Sequence, residues 1–365
     1  MKKVMLVFGT RPEAIKMAPL CEALKKREGV KPVVVVTAQH REMLDQVLDL
    51  FQIVPDHDLD LMAPRQTLEE LTARILSGMK AVLETEKPDL VLVHGDTTTT
   101  FATSLAAFYQ QIPIGHVEAG LRTYEKYSPF PEEMNRQLTG VLADIHFAPT
   151  EQAAENLRRE GKVTNVHVTG NTVIDALKTT VKDSYVHPVL ERIGERRLVL
   201  LTVHRRENHE RLSVIFDAII RLHAAHPDIE IVFPVHPNPV VLEASRKLEG
   251  IERIHLIEPL DVFDFHNFAA RSTLILTDSG GIQEEAPSLG VPVLVLRDTT
   301  ERGEGVAAGT LRLVGTNPRS IFESGDELLS DPAACAKMAQ ASNPYGDGHA
   351  SERIVDAIML EEVTV

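Results

Sequence analysis

Short runs of Val, Leu and Ile without polar alternation recur along the chain, at residues 4–8, 33–36, 90–93 and 112–117. Such runs read as parallel strands buried on both faces, because helices packed on either side of a sheet leave no strand position facing water. Between them the apolar positions step by three and four. Leu68, Leu71, Ile75, Met79 and Val82 form one such stripe, and Thr67 with Glu70 supplies a capping box at its start. A second series of runs occupies 198–203, 229–235, 254–257, 274–277 and 292–296, separated by helices such as the one carrying Leu212, Ile215, Phe216 and Ile219. The pattern predicts an α/β protein of two doubly wound, Rossmann-like domains facing a central cleft. Residues 1–175 form the first domain and 176–345 the second; a last helix within 346–365, after a turn-rich stretch at 343–348, could return to the first domain. The charged segment 182–197, with Pro188, reads as a linker.

Composition fits that division. At roughly 150 residues per domain, 365 residues of which 43% are hydrophobic suffice for two cores. Fifty-three acidic against 38 basic residues leave a formal charge of −15, which argues against binding nucleic acid or an anionic membrane surface. The longest apolar runs, 4–8 and 105–109, are five residues each, far below the ~20 that span a bilayer. The N-terminus passes within a few residues into Gly9-Thr10-Arg11-Pro12, leaving no room for a signal peptide. Cys21 and Cys335 fall far apart in predicted helices, which favours a reducing cytoplasm over a disulfide scaffold.

Residues with chemical potential cluster at predicted strand ends. The first strand runs into Gly9-Thr10-Arg11-Pro12-Glu13, where Thr10 and Glu13 can close a capping box and Arg11 sits at a helix N-terminus suited to an anion, or is simply a surface arginine. A Gly-x-Gly-x-x-Gly fingerprint is missing from this turn, so a nicotinamide dinucleotide is not expected. Later, Asp278-Ser279-Gly280-Gly281 opens a helix: two glycines allow backbone N–H groups close to a diphosphate, and Glu285 one turn on could accept from ribose hydroxyls. Arg302 and Gly303, Gly305 and Gly309 follow, which favours a nucleotide over a plain tight turn.

Asp96 and Glu118 close two predicted strands, whose carboxylates would share one cleft if those strands are neighbours, and Glu132 and Glu133 begin a helix, where acids also serve as caps. Several carboxylates in one cleft suit general acid–base work, since mutual repulsion raises one pKa towards neutrality. His204 and His236 end successive strands of the second half, as phosphate contacts or as capping neighbours. Asp56, Asp58 and Asp60 alternate but lack the glycine and distal glutamate of a calcium loop, so a solvated acidic loop is expected. Neither a Gly-x-Ser-x-Gly elbow nor metal-spaced His or Cys occurs, so no metal and no cofactor is expected.

Taken together, Phe8-Gly9-Thr10-Arg11-Pro12-Glu13-Ala14, His94-Gly95-Asp96-Thr97, His116-Val117-Glu118-Ala119-Gly120-Leu121-Arg122, Pro131-Glu132-Glu133-Met134-Asn135-Arg136, His204-Arg205-Arg206-Glu207-Asn208 and Asp278-Ser279-Gly280-Gly281-Ile282-Gln283-Glu284-Glu285 resemble the non-hydrolysing UDP-N-acetylglucosamine 2-epimerases in order and spacing. The resemblance implies the fold of B-type nucleotide-sugar glycosyltransferases, a cytoplasmic homodimer, and interconversion of UDP-GlcNAc with UDP-ManNAc for bacterial surface polysaccharides. By position it puts Arg11, Lys16, His204, Ser279, Gly280, Gly281, Glu285 and Arg302 on the nucleotide and Phe265 near the uracil. It makes Asp96, Glu118 and Glu132 the catalytic carboxylates, and places Asp96, Glu118 and His204 where they both touch substrate and take part in catalysis. An activating second substrate molecule would meet Gln39, Arg65 and His236, beside Glu42 where several bacterial members carry glutamine. A hydrolysing epimerase, a UDP-sugar glycosyltransferase and a non-catalytic nucleotide-sugar sensor are the alternatives.

Overall fold

The computed structural model describes the chain except residues 39, 40, 62, 64 and 361–365 and the side chains of 41–43. It divides into two compact units, Met1–Ala176 with Tyr345–Val365, and Leu177–Pro344. Unit 1 carries the strands β1 (Lys2–Phe8), β2 (Val30–Val36), β3 (His57–Asp58), β4 (Leu90–His94), β5 (Ile114–Val117), β6 (Ile145–Ala148) and β7 (Val166–Val168). They form one parallel sheet in the order β3-β2-β1-β4-β5-β6-β7. Unit 2 carries β8 (Arg197–Thr202), β9 (Ile229–Pro234), β10 (Ile254–Ile257), β11 (Ser272–Thr277), β12 (Val293–Val295) and β13 (Leu311–Leu313), parallel in the order β10-β9-β8-β11-β12-β13. Each order reverses once, between β1 and β4 and between β8 and β11. The α/β class of two Rossmann-like domains is therefore as the pattern predicts.

Burial explains the unalternating runs. Val4, Met5, Leu6, Val7 and Phe8 are all sealed from solvent, as are Leu90, Val91, Leu92 and Val93. On one face the helix Leu68–Glu86 lays Leu71, Ile75, Met79 and Val82 against Met5, Val7, Val33, Val35, Val91 and Val93. Its capping box forms as expected: Glu70 N donates to Thr67 Oγ1 (3.2 Å) and Thr67 N to Glu70 Oε2 (2.9 Å). Leu68 departs from the expected stripe, being 39% exposed at the first helical position, so the packed face begins at Leu71. In unit 2, Leu212, Ile215, Phe216 and Ile219 are all buried against Val199, Leu201, Ile231 and Phe233.

The structure also corrects the linker reading of 182–197. A helix forms at Pro188–Ile193, Ile193 is buried, and Tyr185, Val189 and Leu190 pack on the unit 2 core around Phe268. Arg271 fixes the same stretch by donating to the carbonyls of Lys182 and Asp183. The charge that suggested a linker lies on exposed positions, while sparse apolar residues do the packing.

The last helix, Ala350–Leu360, belongs to unit 1. Ile354 and Ile358 are fully buried, Lys2 Nζ donates to the Ile358 carbonyl (2.7 Å), and Arg27 pairs with Asp356 (3.0 Å). Its N-terminus is capped from a distance: Asp175 accepts from Ala350 N (3.1 Å) and Ser351 N (2.8 Å). An Asp175→Ala variant leaves two buried N–H groups without that partner. We expect a loss of about 1–2 kcal/mol in unfolding free energy, measured from urea midpoints at constant slope.

Candidate active site

Arg11 after β1 and Asp96 after β4, and His204 after β8 and Ser279 after β11, flank the reversal points, where open α/β sheets present their ligand sites; Glu118 follows β5, His236 β9 and Arg302 β12, and Phe265 lies in the helix Val262–Ala270. In unit 1 the β1 turn is held by a carboxylate. Glu13, buried, accepts from Gly9 N (3.1 Å), Thr10 N (2.8 Å) and the Thr97 hydroxyl (2.7 Å), so one side chain ties the loop after β1 to the loop after β4. Burial raises its pKa against the pull of those donors. Gly9 is required there because a Cβ would lie 2.0 Å from Thr37 Oγ1. Arg11 follows at the start of the helix Arg11–Lys26, half-buried, and among the described residues no carboxylate pairs with it.

Glu118 follows β5 in the left-handed region at φ 61°, a conformation that costs a non-glycine residue energy and persists only where its surroundings hold it. Lys16 Nζ donates to Glu118 Oε1, and Asn171 Nδ2 donates to the same oxygen at 2.9 Å. His94 Nε2 stands 3.8 Å from Oε2 and is itself without a hydrogen bond among the described residues. Burial by itself would raise the Glu118 pKa, but the Lys16 ammonium, His94 and the two donors outweigh it and hold the carboxyl well below the usual range. Burial pushes His94 down to about 4, so the imidazole is neutral at pH 7.

Asp96 has the opposite bias. Burial raises its pKa first; Arg136, whose Nη2 lies 2.9 Å away, lowers it, and Glu118 and Glu132 raise it again, to about 6. Two hydrogen bonds hold the backbone around Asp96. Asn135 Nδ2 donates to the Asp96 carbonyl (3.0 Å), and His116 Nε2 bonds the Gly95 carbonyl (2.7 Å), the His116 pKa being pushed down by burial to about 3. Glu132 and Glu133 separate cleanly. Glu132 is half-buried at the start of the helix Glu132–Leu142, and its charge bears on Asp96. Glu133 is fully buried, accepting from Thr123 N (3.0 Å), Tyr124 N (3.1 Å) and Gln137 Nε2 (2.7 Å), and so shapes the loop before its helix.

Unit 2 repeats the theme with Asp278, fully buried after β11. It accepts from His204 N (3.0 Å), Arg205 N (2.9 Å) and Asn208 Nδ2 (3.0 Å), which fixes the loop after β8. His204 stacks on His236, 5.3 Å between ring centroids, and burial holds the His204 pKa below its usual value. Ser279 N is engaged by Thr277 Oγ1 (2.9 Å), Gly280 is buried and Gly281 exposed. Glu285 meets His266 Nε2 at 3.3 Å, and the other nitrogen of that ring meets Thr180 Oγ1 at 2.7 Å; Phe265 lies half-buried beside it. Arg302 is not a free cation: Glu284 takes its Nε (2.9 Å), Glu301 takes Nη1, and its guanidinium rests where a Gly280 Cβ would come within 3.1 Å.

Of the activator candidates, Gln39 lies outside the described residues and so does the Glu42 side chain. Arg65 is exposed at φ 59° and His236 is exposed, with Nδ1 accepting from Asn238 N (3.1 Å). The segment expected as an acidic loop is in part a strand: Asp58 lies in β3 and accepts from Asp60 N (3.1 Å), while Asp56 accepts from Val34 N of β2 (2.7 Å), because pairing with the edge of the formed sheet overrides the polar pattern. Glu13 as a bridge, Asn135, Asn171 and Asp278 are not singled out by the sequence. Their only local signal is an acid or amide shortly after a strand, or for Asn135 in the first turns of a helix, which reads equally as a cap or a solvated side chain.

Asp96 supplies a direct test. A folded carboxyl that keeps its proton to about pH 6, against about 3.9 unfolded, binds more protons in the native state, so stability falls as pH rises through that window. The unfolding free energy of Asp96→Asn minus that of wild type should therefore grow between pH 4 and 6. Arg136→Met should move the Asp96 resonance midpoint to higher pH in a carboxyl-carbon NMR titration.

Comparisons with known proteins show the family. The family model for UDP-N-acetylglucosamine 2-epimerase matches residues 22–359. The chain is 62% identical over 361 residues to UDP-N-acetylglucosamine 2-epimerase of Bacillus subtilis, covering 98% of this chain and 95% of that protein. It is 53% identical over 378 residues to the Escherichia coli K12 protein of the same name, covering all of both. A solved structure of UDP-GlcNAc 2-epimerase from Neisseria meningitidis bound to UDP-GlcNAc superposes with a TM-score of 0.87 at 52% identity, covering 98% of this chain and 100% of that one. Among the described residues no helix is long and apolar enough to cross a membrane. With the family model spanning nearly the whole chain and these relatives matching it end to end, the chain belongs to the UDP-N-acetylglucosamine 2-epimerase family.

Proposed function

We propose that this enzyme interconverts UDP-GlcNAc and UDP-ManNAc by eliminating UDP across C1 and C2 of the sugar and adding it back after reprotonation of the opposite face. The observation that carries this reading is the divergence of two neighbouring carboxylates: Asp96 near 6, able to take and return a proton at neutral pH, and Glu118 held ionised by Lys16. Such a split is what acid–base chemistry on a weakly acidic C–H requires. A carboxylate removes the C2 proton, the C–H electrons form the C1=C2 bond, and the C1–O bond breaks with its pair leaving on UDP. The resulting 2-acetamidoglucal is protonated at C2 from the other side, and the UDP oxygen returns to C1.

Charge develops on the departing diphosphate, so cations matter there. Arg11 carries that role in unit 1, with Lys16 shared between Glu118 and phosphate. In unit 2, His204, Ser279, Gly280, Gly281 and Arg302 take the diphosphate, Glu285 the ribose and Phe265 the uracil. The Neisseria relative bound to UDP-GlcNAc supports the choice of substrate. The wider assignment comprises a cytoplasmic homodimer serving bacterial surface polysaccharide synthesis, with an activator molecule on Gln39, Arg65 and His236.

Incubation of UDP-GlcNAc in D₂O should yield a mixture with UDP-ManNAc deuterated at C2, read by NMR; protium kept at C2 in the product sinks the elimination route. Asp96→Asn, Glu118→Gln and Glu132→Gln should each lower turnover by about 10² to 10⁴, with UDP affinity largely retained in calorimetry. Arg11→Ala should instead weaken nucleotide binding. Activity should survive excess EDTA, because neither a dinucleotide fingerprint nor metal-spaced ligands occur in the sequence; loss restored by Mg²⁺ would contradict this.

A further inference from the structure

Glu118 offers its two oxygens to different surroundings. Oε1 receives both Lys16 Nζ and Asn171 Nδ2, whereas Oε2 accepts no hydrogen bond among the described residues and faces His94 Nε2 at 3.8 Å. An oxygen already holding an ammonium and an amide donor is a poor proton acceptor; the other keeps its lone pairs. Asn171 is in turn held on three sides. Its backbone N–H donates to the Tyr345 carbonyl (2.7 Å), its side-chain Oδ1 accepts from Val173 N (3.1 Å) at the start of the helix Thr172–Thr180, and its amide is buried. The returning segment packs closely: a Cβ on Gly170 would meet the Gly346 Cα at 3.2 Å. The chain thus runs from the C-terminal return through Asn171 to a carboxylate whose own backbone sits at φ 61°.

We propose that Asn171 is a positioning residue that locks Glu118 Oε1 against Lys16, leaving Oε2 as the oxygen that faces the substrate, and that the Tyr345–Gly346 return segment holds Asn171 in place. This rests on the assignment of Glu118 to the reaction. Asn171 touches no reacting atom in this scheme; it selects the rotamer and ionisation of the residue that does. Because hydrogen bonds to the charged form favour that form, removing the amide must raise the Glu118 pKa as well as loosen its orientation.

Two substitutions separate this role from a structural one. Asn171→Ser keeps an oxygen able to cap Val173 N but is too short to reach Glu118, so the helix start is preserved. Asn171→Leu removes cap and donor together. For Asn171→Ser we expect kcat to fall about 10- to 100-fold, the size of a lost hydrogen bond to a charged group, with KM changed less than about 3-fold. The Glu118 carboxyl carbon, followed by NMR with selectively labelled glutamate, should titrate at higher pH than in wild type. Asn171→Gln, whose longer amide can reach from a shifted backbone, should recover part of both. Unchanged kcat together with an unchanged Glu118 titration in Asn171→Ser overturns the positioning role. An altered Glu118 titration in an enzyme whose wild type exchanges no C2 hydrogen upholds the Asn171 contact and overturns the elimination reading instead.

Discussion

The ion pair between Lys16 and Glu118 is the interaction around which unit 1 is arranged. A carboxylate taken out of water is costly unless matched by charge and by donors to its lone pairs. Here the match comes from the helix after β1, which brings Lys16, and from the loop after β7, which brings Asn171. Asp96 on the adjacent strand end is pushed towards neutrality first by its own burial, against the pull of Arg136, and the Glu118 and Glu132 charges add to that push. The contrast between the two acids is a matter of partners: both are buried, but Glu118 holds an ammonium and an amide donor on one oxygen, which outweighs its burial, whereas at Asp96 burial prevails over the cations.

Both units solve the same mechanical problem in the same way. At a reversal of strand order, two loops from non-consecutive strands must be held together beside the C-terminal edge of the sheet, and a buried acid does this in each. Glu13 gathers Gly9 N, Thr10 N and the Thr97 hydroxyl; Asp278 gathers His204 N, Arg205 N and the Asn208 amide. An acceptor-only side chain suits this task because loops at strand ends expose N–H groups that the sheet no longer pairs. Beside those anchors stand Arg11 in one unit, half-buried at its helix start, and His204 in the other, stacked on His236. Arg302 shows the other strategy: its guanidinium is set by Glu284 and Glu301 beside Gly280.

What the sequence alone determined is the part encoded locally. Unalternating apolar runs specify the buried strands β1, β2, β4, β8, β9 and β11, since burial on both faces is written into every residue of the run. Capping boxes such as Thr67 with Glu70 specify helix starts within four residues, and the candidate residues at strand ends follow from those two facts. The short strands β3, β6, β7 and β13 leave no comparable pattern. In β6 and β7 a histidine interrupts the apolar run, and pairing with an already formed neighbour, rather than intrinsic pattern, makes them strands. Tertiary structure alone decided that Lys16 meets Glu118 across 102 residues, that Asn171 joins them, that Asp175 caps a helix 175 residues later, and that segment 182–197 packs instead of linking. These depend on strand order and on which buried charge lacks a partner. The energy of a buried charge is fixed by everything around it, and no window of sequence contains that surrounding.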